Sequence, residues 1–128
     1  MITDVNDFEY KESRWQDLYS FLKKEGYDVY SPGQHVGDCT SAYVVVKNSI
    51  SSRVFHLSTN ADIYVILVYV PEKSYSTLEV MIESIKKSMK KIYPLFKEYG
   101  QQTEAFYDSE VKGYTASILY SNYKKIDL

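Results

Sequence analysis

A chain of 128 residues, 45% of them hydrophobic and 25% charged, has the length and composition of one packed globular domain over residues 1–128. Its formal net charge of -2 provides no overall field that would attract nucleic acid or an anionic membrane. The longest uncharged apolar run, Ile63 to Val70, is far shorter than the ~20 residues that cross a bilayer, so we expect no transmembrane helix.

The first predicted helix spans residues 13–25. It opens on a capping box at Ser13, its apolar residues follow at helical spacing, and Gly26 is placed to end it. A short predicted strand at 27–30 leads into residues 31–40, where turn-forming residues cluster. The sequence therefore predicts one long irregular loop directly after the first helix and strand.

Three predicted strands follow, at 42–47, 52–57 and 62–70. The third is apolar at both alternating sets of positions, which is typical of a strand in the middle of a sheet. We therefore expect residues 63–70 to be covered on both faces.

A second helix of about 16 residues is predicted from a capping box at Ser76, because apolar residues step by three and four from Leu78 to Ile92. Pro94 is expected to end this helix, with a last short turn reaching Gly100. Two further strands, at 103–107 and 112–122, have the alternation of a hairpin.

Consecutive strands flanked by two helices indicate an α+β fold. The expected architecture is a mostly antiparallel sheet of about five strands with two helices packed on one face.

Charge and tyrosine content both indicate contacts between proteins. Residues 1–28 contain seven acidic and four basic residues, whereas residues 86–97 contain five lysines and no acid. The chain has 14 tyrosines, a residue type that is enriched at interfaces but also common in ordinary strands. The lysines Lys86, Lys87, Lys90 and Lys91 are accordingly either contacts for a charged partner or a solvated helix face.

Residue types that carry chemistry are few. One cysteine and two histidines are too few for a zinc site, and Asp38 stands where a phosphate loop after Gly33 and Gly37 needs a lysine. A thiolate of Cys39 with His35 is the enzyme alternative, a small hydrolase; a structural cysteine is the simpler interpretation. We expect no catalytic residue, no cofactor, no metal and no direct recognition of nucleic acid.

Three segments resemble a known family, the tail terminator or tail completion proteins of long-tailed bacteriophages and prophages, particularly of Gram-positive hosts. These segments are Gly26 to Gln34, then Tyr69-Val70-Pro71 with Tyr75 to Glu79, and finally Phe106-Tyr107-Asp108 leading to Tyr114 to Ile118. The resemblance extends over most of the chain from the first helix onward. It assigns no catalytic residue, because the family has no catalytic signature to match.

The resemblance implies a structural virion protein of the tail or neck, assembled in the host cytoplasm. Copies would form a ring, hexameric in the family, that closes the head-proximal end of the tail tube, stops its polymerisation and meets the head-tail connector protein. Its expected partners are itself, the tail tube protein and the connector. The alternatives are a small cytoplasmic protein-protein interaction module and another phage neck protein.

The candidate interface residues lie in the long loop and on the second helix. They are Gly33, Gln34, His35, Gly37, Lys86, Lys87, Lys90 and Lys91. The loop is a candidate because it is longer and more polar than a simple connector inside a compact domain.

Overall fold

The computed structural model describes residues 14–49, 54–56 and 59–124 of the chain. Within these ranges the chain forms two α-helices and seven β-strands. In chain order they are α1 (Arg14–Lys24), β1 (Val29–Tyr30), β2 (Tyr43–Asn48), β3 (Val54–His56), β4 (Thr59–Pro71), α2 (Thr77–Met89), β5 (Lys97–Glu98), β6 (Phe106–Asp108) and β7 (Gly113–Lys124).

All seven strands belong to one sheet, in which β1, β2, β4, β7 and β5 follow one another in hydrogen-bonded order. β3 pairs with the start of β4, and β6 pairs with the start of β7. The centre is the antiparallel β4 and β7 pair, in register from Asn60 opposite Lys124 to Pro71 opposite Gly113. β1 and β2 are parallel. The predicted α+β class with a mostly antiparallel sheet is confirmed. The sheet has seven described strands, more than the expected five or so, because four of them are short segments of two or three residues.

Both helices pack on the same face of the sheet, as predicted, and the core lies between them and the strands. The helices contribute apolar side chains to this core at Leu18, Phe21, Leu22, Leu78, Ile82, Ile85 and Met89. The strands contribute Val29, Val44, Val46, Tyr64, Ile66, Val68, Val70, Ala116, Ile118 and Tyr120. These strand positions alternate along β4 and β7, as the two-residue period of a strand requires.

The opposite face of β4 is less covered than the sequence predicts. Ile63 is buried there, but Val65, Leu67 and Tyr69 are only partly buried. The expectation of a strand covered on both faces is thus correct for the helix side and for Ile63, and wrong for the other three residues. The reason is that both described helices lie on the other side of the sheet.

α1 is fixed to the sheet near its start by Trp15, whose indole Nε1–H donates to a backbone carbonyl of β2 at 2.7 Å. Asp17 is fully buried, and the guanidinium of Arg14 lies 3.2 Å from its carboxylate, so the buried charge is paired. Gly26, with φ +99°, ends the helix as predicted. The predicted capping box at Ser13 lies outside the described residues.

The start of α2 differs from the prediction. Ser76 has helical dihedral angles and its side chain makes no capping hydrogen bond, so the expected capping box is not formed. A 3-10 turn ending at Ser74 comes first, and the Thr77 hydroxyl donates to the Ser74 carbonyl at 2.7 Å. A second 3-10 turn, Lys90–Ile92, continues the helix to the region where Pro94 is expected to end it.

The segment after Pro94 contains a strand where the sequence predicts a last short turn. β5 pairs antiparallel with Tyr120 and Ser121 of β7. The preceding Phe96 is buried, with its ring centroid 5.8 Å from that of Tyr64 in an edge-to-face arrangement. β5 therefore runs along the edge of the sheet beside α2.

Candidate functional site

Six tyrosines gather at the end of the sheet where β4 finishes and β7 begins. They are Tyr30, Tyr43, Tyr69, Tyr75, Tyr107 and Tyr114, and this surface is termed the tyrosine end. Strand register brings them together, because Tyr43 lies opposite Tyr69 and Tyr107 lies opposite Tyr114. Tyr69 belongs to the outer face of the sheet, whereas Tyr114 lies on the helix side.

On the outer face, the rings form one connected stack. Tyr43 stacks on Tyr69 with 4.7 Å between ring centroids, and His35 stacks on Tyr43 at 3.8 Å. Tyr30 approaches both His35 and Tyr43 edge-on, at 5.0 and 5.5 Å. Burial raises the pKa of the Tyr43 and Tyr69 phenols. These contacts hold the long loop, through His35, against the end of the sheet.

On the helix side, Tyr114 is flanked by two exposed rings. Tyr75 and Tyr107 meet it edge-on at 4.7 and 5.4 Å. The Tyr107 hydroxyl donates to the carboxylate of Glu72 at 2.9 Å, and this hydrogen bond is the main reason why the pKa of Tyr107 is raised. Tyr75 is 55% and Tyr107 43% exposed, so both rings are available to a partner.

The four predicted interface residues of the loop lie beside the tyrosine end, but three of them, Gly33, Gln34 and Gly37, serve the loop itself. The Gln34 side-chain oxygen accepts from the Ser31 N–H at 2.9 Å, and the Gln34 N–H donates to the Ser31 carbonyl at 3.0 Å. His35 belongs to the aromatic stack. Gly33 and Gly37 both have positive φ, which favours glycine at the two bends of the loop.

Val36 is the loop residue that the sequence analysis misses. It lies between His35 and Gly37 and is 89% exposed, the highest exposure among the large apolar side chains described. The available signal was a β-branched apolar residue inside a polar, glycine-bounded loop. A single exposed valine is common on protein surfaces, but Val36 is placed beside the aromatic stack because its neighbour His35 packs on Tyr43.

Cys39 is buried in the base of the loop, where its Sγ donates to the Ser41 carbonyl at 3.4 Å. Its N–H donates to the Val111 carbonyl at 2.6 Å, which joins the loop to the turn before β7. Burial raises the pKa of the thiol, which favours the protonated, less nucleophilic form. Among the described contacts, the His35 ring stacks on Tyr43 and the Cys39 thiol is hydrogen-bonded elsewhere.

A second surface lies between α2 and β5. This open groove, termed the lysine groove, is lined by Lys86, Lys87, Lys90, Lys97 and the exposed Tyr93, with Phe96 and Tyr120 at its base. Lys86 is engaged by Glu98 at 3.5 Å, Glu83 at 3.8 Å and Gln102 at 3.1 Å. Three of the four predicted interface lysines therefore share one groove.

Lys91 lies apart from the other three lysines. Its Nζ is 2.7 Å from the carboxylate of Glu25, at the end of α1, so it faces the first helix. The same side of α2 carries Ser84 and Ser88, whose hydroxyls bond that of Tyr27 at 2.6 and 3.2 Å. Helical spacing explains the split, because positions 84, 88 and 91 lie on one side of a helix and positions 83, 86, 87 and 90 on another.

The structure thus divides the predicted interface between two separate surfaces, and Lys91 belongs to neither. The loop residues lie at the tyrosine end, and the groove lysines lie toward the opposite end of the sheet, near Tyr64 and Tyr120.

Alkaline titration should reveal the buried tyrosines. Burial raises the pKa of Tyr64 to about 12 and also raises the pKa of Tyr43 and Tyr120, from the 10.0 of a free phenol. The folded state therefore holds these protons more tightly than the unfolded chain does. The stability that the three phenols contribute is fully present below about pH 10 and is lost as pH rises through their raised pKa values.

We expect the free energy of unfolding to change little between about pH 7 and pH 8, to decrease slightly near pH 9 as the Cys39 thiol of the unfolded chain ionises, and to fall steeply above about pH 10. Urea titrations across this range, with phenolate absorbance recorded in parallel, give the measurement. Complete ionisation of all tyrosines before any loss of structure would contradict the burial of these three.

Replacing Cys39 with serine should change little. The hydroxyl has nearly the size of the thiol and can donate to the same Ser41 carbonyl, so we expect a cost below about 1.5 kcal/mol in urea unfolding. Loss of cooperative unfolding in C39S would contradict this expectation.

In the part of the chain that the structure describes, no group of three potential metal ligands is found, and no helix is long and apolar enough to cross a membrane. No family model and no curated protein matches this chain.

Proposed function

We propose that this protein is a structural virion protein that closes the head-proximal end of a phage tail tube. It stops tube polymerisation and joins the tail to the head connector. It acts as a ring of identical copies, a hexamer in the family that the sequence resembles. The tail tube protein and the head-tail connector protein are its partners, and assembly takes place in the host cytoplasm before the protein becomes part of the tail or neck.

The observation that supports this proposal best is where the three resembling segments lie. They are distant in sequence, yet residues from all three belong to the tyrosine end: Tyr30 from the first, Tyr69 and Tyr75 from the second, Tyr107 and Tyr114 from the third. When the segments in which two proteins resemble each other lie together on one surface, this is typical of a binding surface that the proteins share.

The chemistry of this surface suits assembly. Tyrosine offers a large rigid ring with a polar tip, which favours contacts that are dry at the centre and hydrogen-bonded at the edge. Tyr75 and Tyr107 present such rings on one side, and Val36 presents an apolar tip on the other. The packed sheet beneath fixes their positions, so little ordering is needed when a partner binds.

The surroundings of Cys39 support a structural role over the hydrolase alternative. A nucleophilic cysteine requires a thiolate and a base within hydrogen-bond reach. Burial here raises the pKa of the thiol, and its Sγ is directed to the Ser41 carbonyl. His35 is held in the aromatic stack on Tyr43.

Electron microscopy of tails made with and without this protein tests the proposal. We expect tails that lack it to be abnormally long or to remain unattached to heads. V36D should fold normally and still give that defect, because a charge is placed at the exposed tip of the loop. V80D is the matched control, since Val80 is 70% exposed on α2, away from the aromatic stack.

Normal tails of normal length without the protein would overturn the proposal. Copurification with a host protein that is lost in V36D would then favour the interaction-module alternative.

A further inference from the structure

The lysine groove carries positive charge that the residues described by the structure do not neutralise. Both glutamates at the groove, Glu83 and Glu98, lie within 4 Å of the Lys86 ammonium. Lys97 lies over the ring of Tyr93 at 5.7 Å. Lys87 and Lys90 are exposed and form no ion pair with any residue that the structure describes. Within the described ranges the groove therefore has two ammonium groups without an ion partner, beside the exposed ring of Tyr93.

The tyrosine end carries the opposite charge. Glu72 accepts the Tyr107 hydroxyl, and Asp108 accepts the Glu110 N–H within the turn before β7. No described lysine forms an ion pair with the carboxylate of Glu72, Asp108 or Glu110. Lys112 in the same turn pairs with Asp38 at 3.7 Å, and the exposed Lys73 follows Glu72 in the chain. Glu72, Asp108 and Glu110 are termed the acidic patch.

These two surfaces cannot neutralise each other within one molecule. Tyr64 contacts Phe96 at the base of the groove, while Pro71 at the other end of β4 lies opposite Gly113 beside the acidic patch. Seven strand residues at ~3.3 Å each separate these two points by ~23 Å. This distance exceeds the screening length of ~8 Å in physiological salt.

The geometry points to a second copy of this chain as the occupant of the lysine groove, which binds the acidic patch and exposed tyrosines of its neighbour. The contact joins two different surfaces and is therefore head-to-tail, so its repetition gives a closed ring or an open filament and does not stop at a dimer. This inference extends the ring of the proposed function by naming the two surfaces that form it.

Charge and ring chemistry favour this occupant over nucleic acid. The ammonium groups of Lys87 and Lys90 match the carboxylates of the acidic patch, and exposed tyrosines accompany both surfaces: Tyr93 at the groove, Tyr75 and Tyr107 at the patch. Two lysines without an ion partner among the described residues match a small acidic patch, whereas a protein that binds duplex DNA makes roughly 6–10 phosphate contacts.

A charge swap in the full-length purified protein tests the inference. The groove variant is Lys87→Glu with Lys90→Glu, and the patch variant is Glu72→Lys with Glu110→Lys; all four side chains are exposed, so folding should be retained. Sedimentation velocity over a concentration and salt series measures association. The parent should form species larger than a dimer at low salt and dissociate as salt is added.

Each variant alone should associate about tenfold more weakly or worse, because like charges then face each other across the contact. All four substitutions combined in one chain should restore association, since the charges are exchanged. Circular dichroism confirms that each variant is folded.

A parent that stays monomeric, a parent that stops at a dimer, or a combined variant that does not recover would each overturn the inference. The same holds if the groove variant loses affinity for a DNA duplex while self-association is unchanged, which would assign the groove to nucleic acid. Because these experiments use the purified protein, their failure leaves the tail-length assay of the proposed function unaffected.

Discussion

Replacing Ile66 with aspartate should leave the protein unable to fold. Ile66 is 0% exposed and lies in the middle of β4, where it pairs with Val46 of β2 and Ile118 of β7. No water reaches a carboxylate at this position, and an unpaired charge in a protein interior costs several kcal/mol even after relaxation. Since a domain of this kind has a total stability of about 5–15 kcal/mol, and a cavity is also left, the folded state should be lost.

Leu67→Asp is the matched control. Leu67 is the next residue of the same strand, but it points to the outer face and is only partly buried. Its carboxylate can reach water, so L67D should fold with reduced stability. Circular dichroism and urea unfolding distinguish the two variants. A cooperative I66D protein near parental stability would contradict the position of the core, and an L67D protein as disordered as I66D would show that the outer face is equally covered.

The difference in burial between Ile66 and Leu67 shows which part of the fold the sequence could predict and which it could not. Both helices follow from the spacing of their apolar residues, and β4 follows from its apolar run. The partial exposure of Val65, Leu67 and Tyr69 does not follow, because two apolar faces show only that a strand can be buried on both sides. Which face a helix covers depends on connections elsewhere in the chain.

The smaller differences lie in β5 and at the start of α2. β5 contains only Lys97 and Glu98, which lack the alternation of a strand and adopt that conformation by pairing with β7. The capping pattern at Ser76 is present in the sequence, yet the chain enters α2 through a 3-10 turn that ends at Ser74. Strand pairing determines the conformation of β5, whereas a local turn, closed by the Thr77 hydroxyl on the Ser74 carbonyl, replaces the capping box at α2.

The sequence could predict which types of residue form the candidate site, but not where the fold places them. The lysine run and the polar loop are visible in the sequence, but Lys91 turns toward Glu25 while Lys87 and Lys90 line the groove. The tyrosine end could not be predicted, since Tyr43 and Tyr69 meet only through the register of β2 on β4. The sequence showed an excess of tyrosine, and strand pairing brings six of these residues to one surface.

Gly113 connects the fold to this surface, and replacing it with alanine should destabilise the protein by about 1–3 kcal/mol. A Cβ at Gly113 would lie 2.8 Å from the Val70 carbonyl oxygen and 2.9 Å from the Cys39 Cβ. The first neighbour is backbone of the central strand, and the second is the residue that holds the loop. Either β7 separates from β4 or the loop moves away, which would weaken the 2.6 Å hydrogen bond from the Cys39 N–H to Val111.

We therefore expect G113A to lose stability and, under the proposed function, to impair tail completion, since the loop carries His35 onto Tyr43 and presents Val36. A double-mutant cycle with Cys39→Gly separates the two contacts. Removing the Cys39 side chain relieves one close approach and leaves the Val70 oxygen in place, so the pair should show a favourable coupling that recovers only part of the lost stability. Urea unfolding of the four proteins measures this coupling. A G113A protein as stable as the parent would show that the loop does not pack closely on the start of β7.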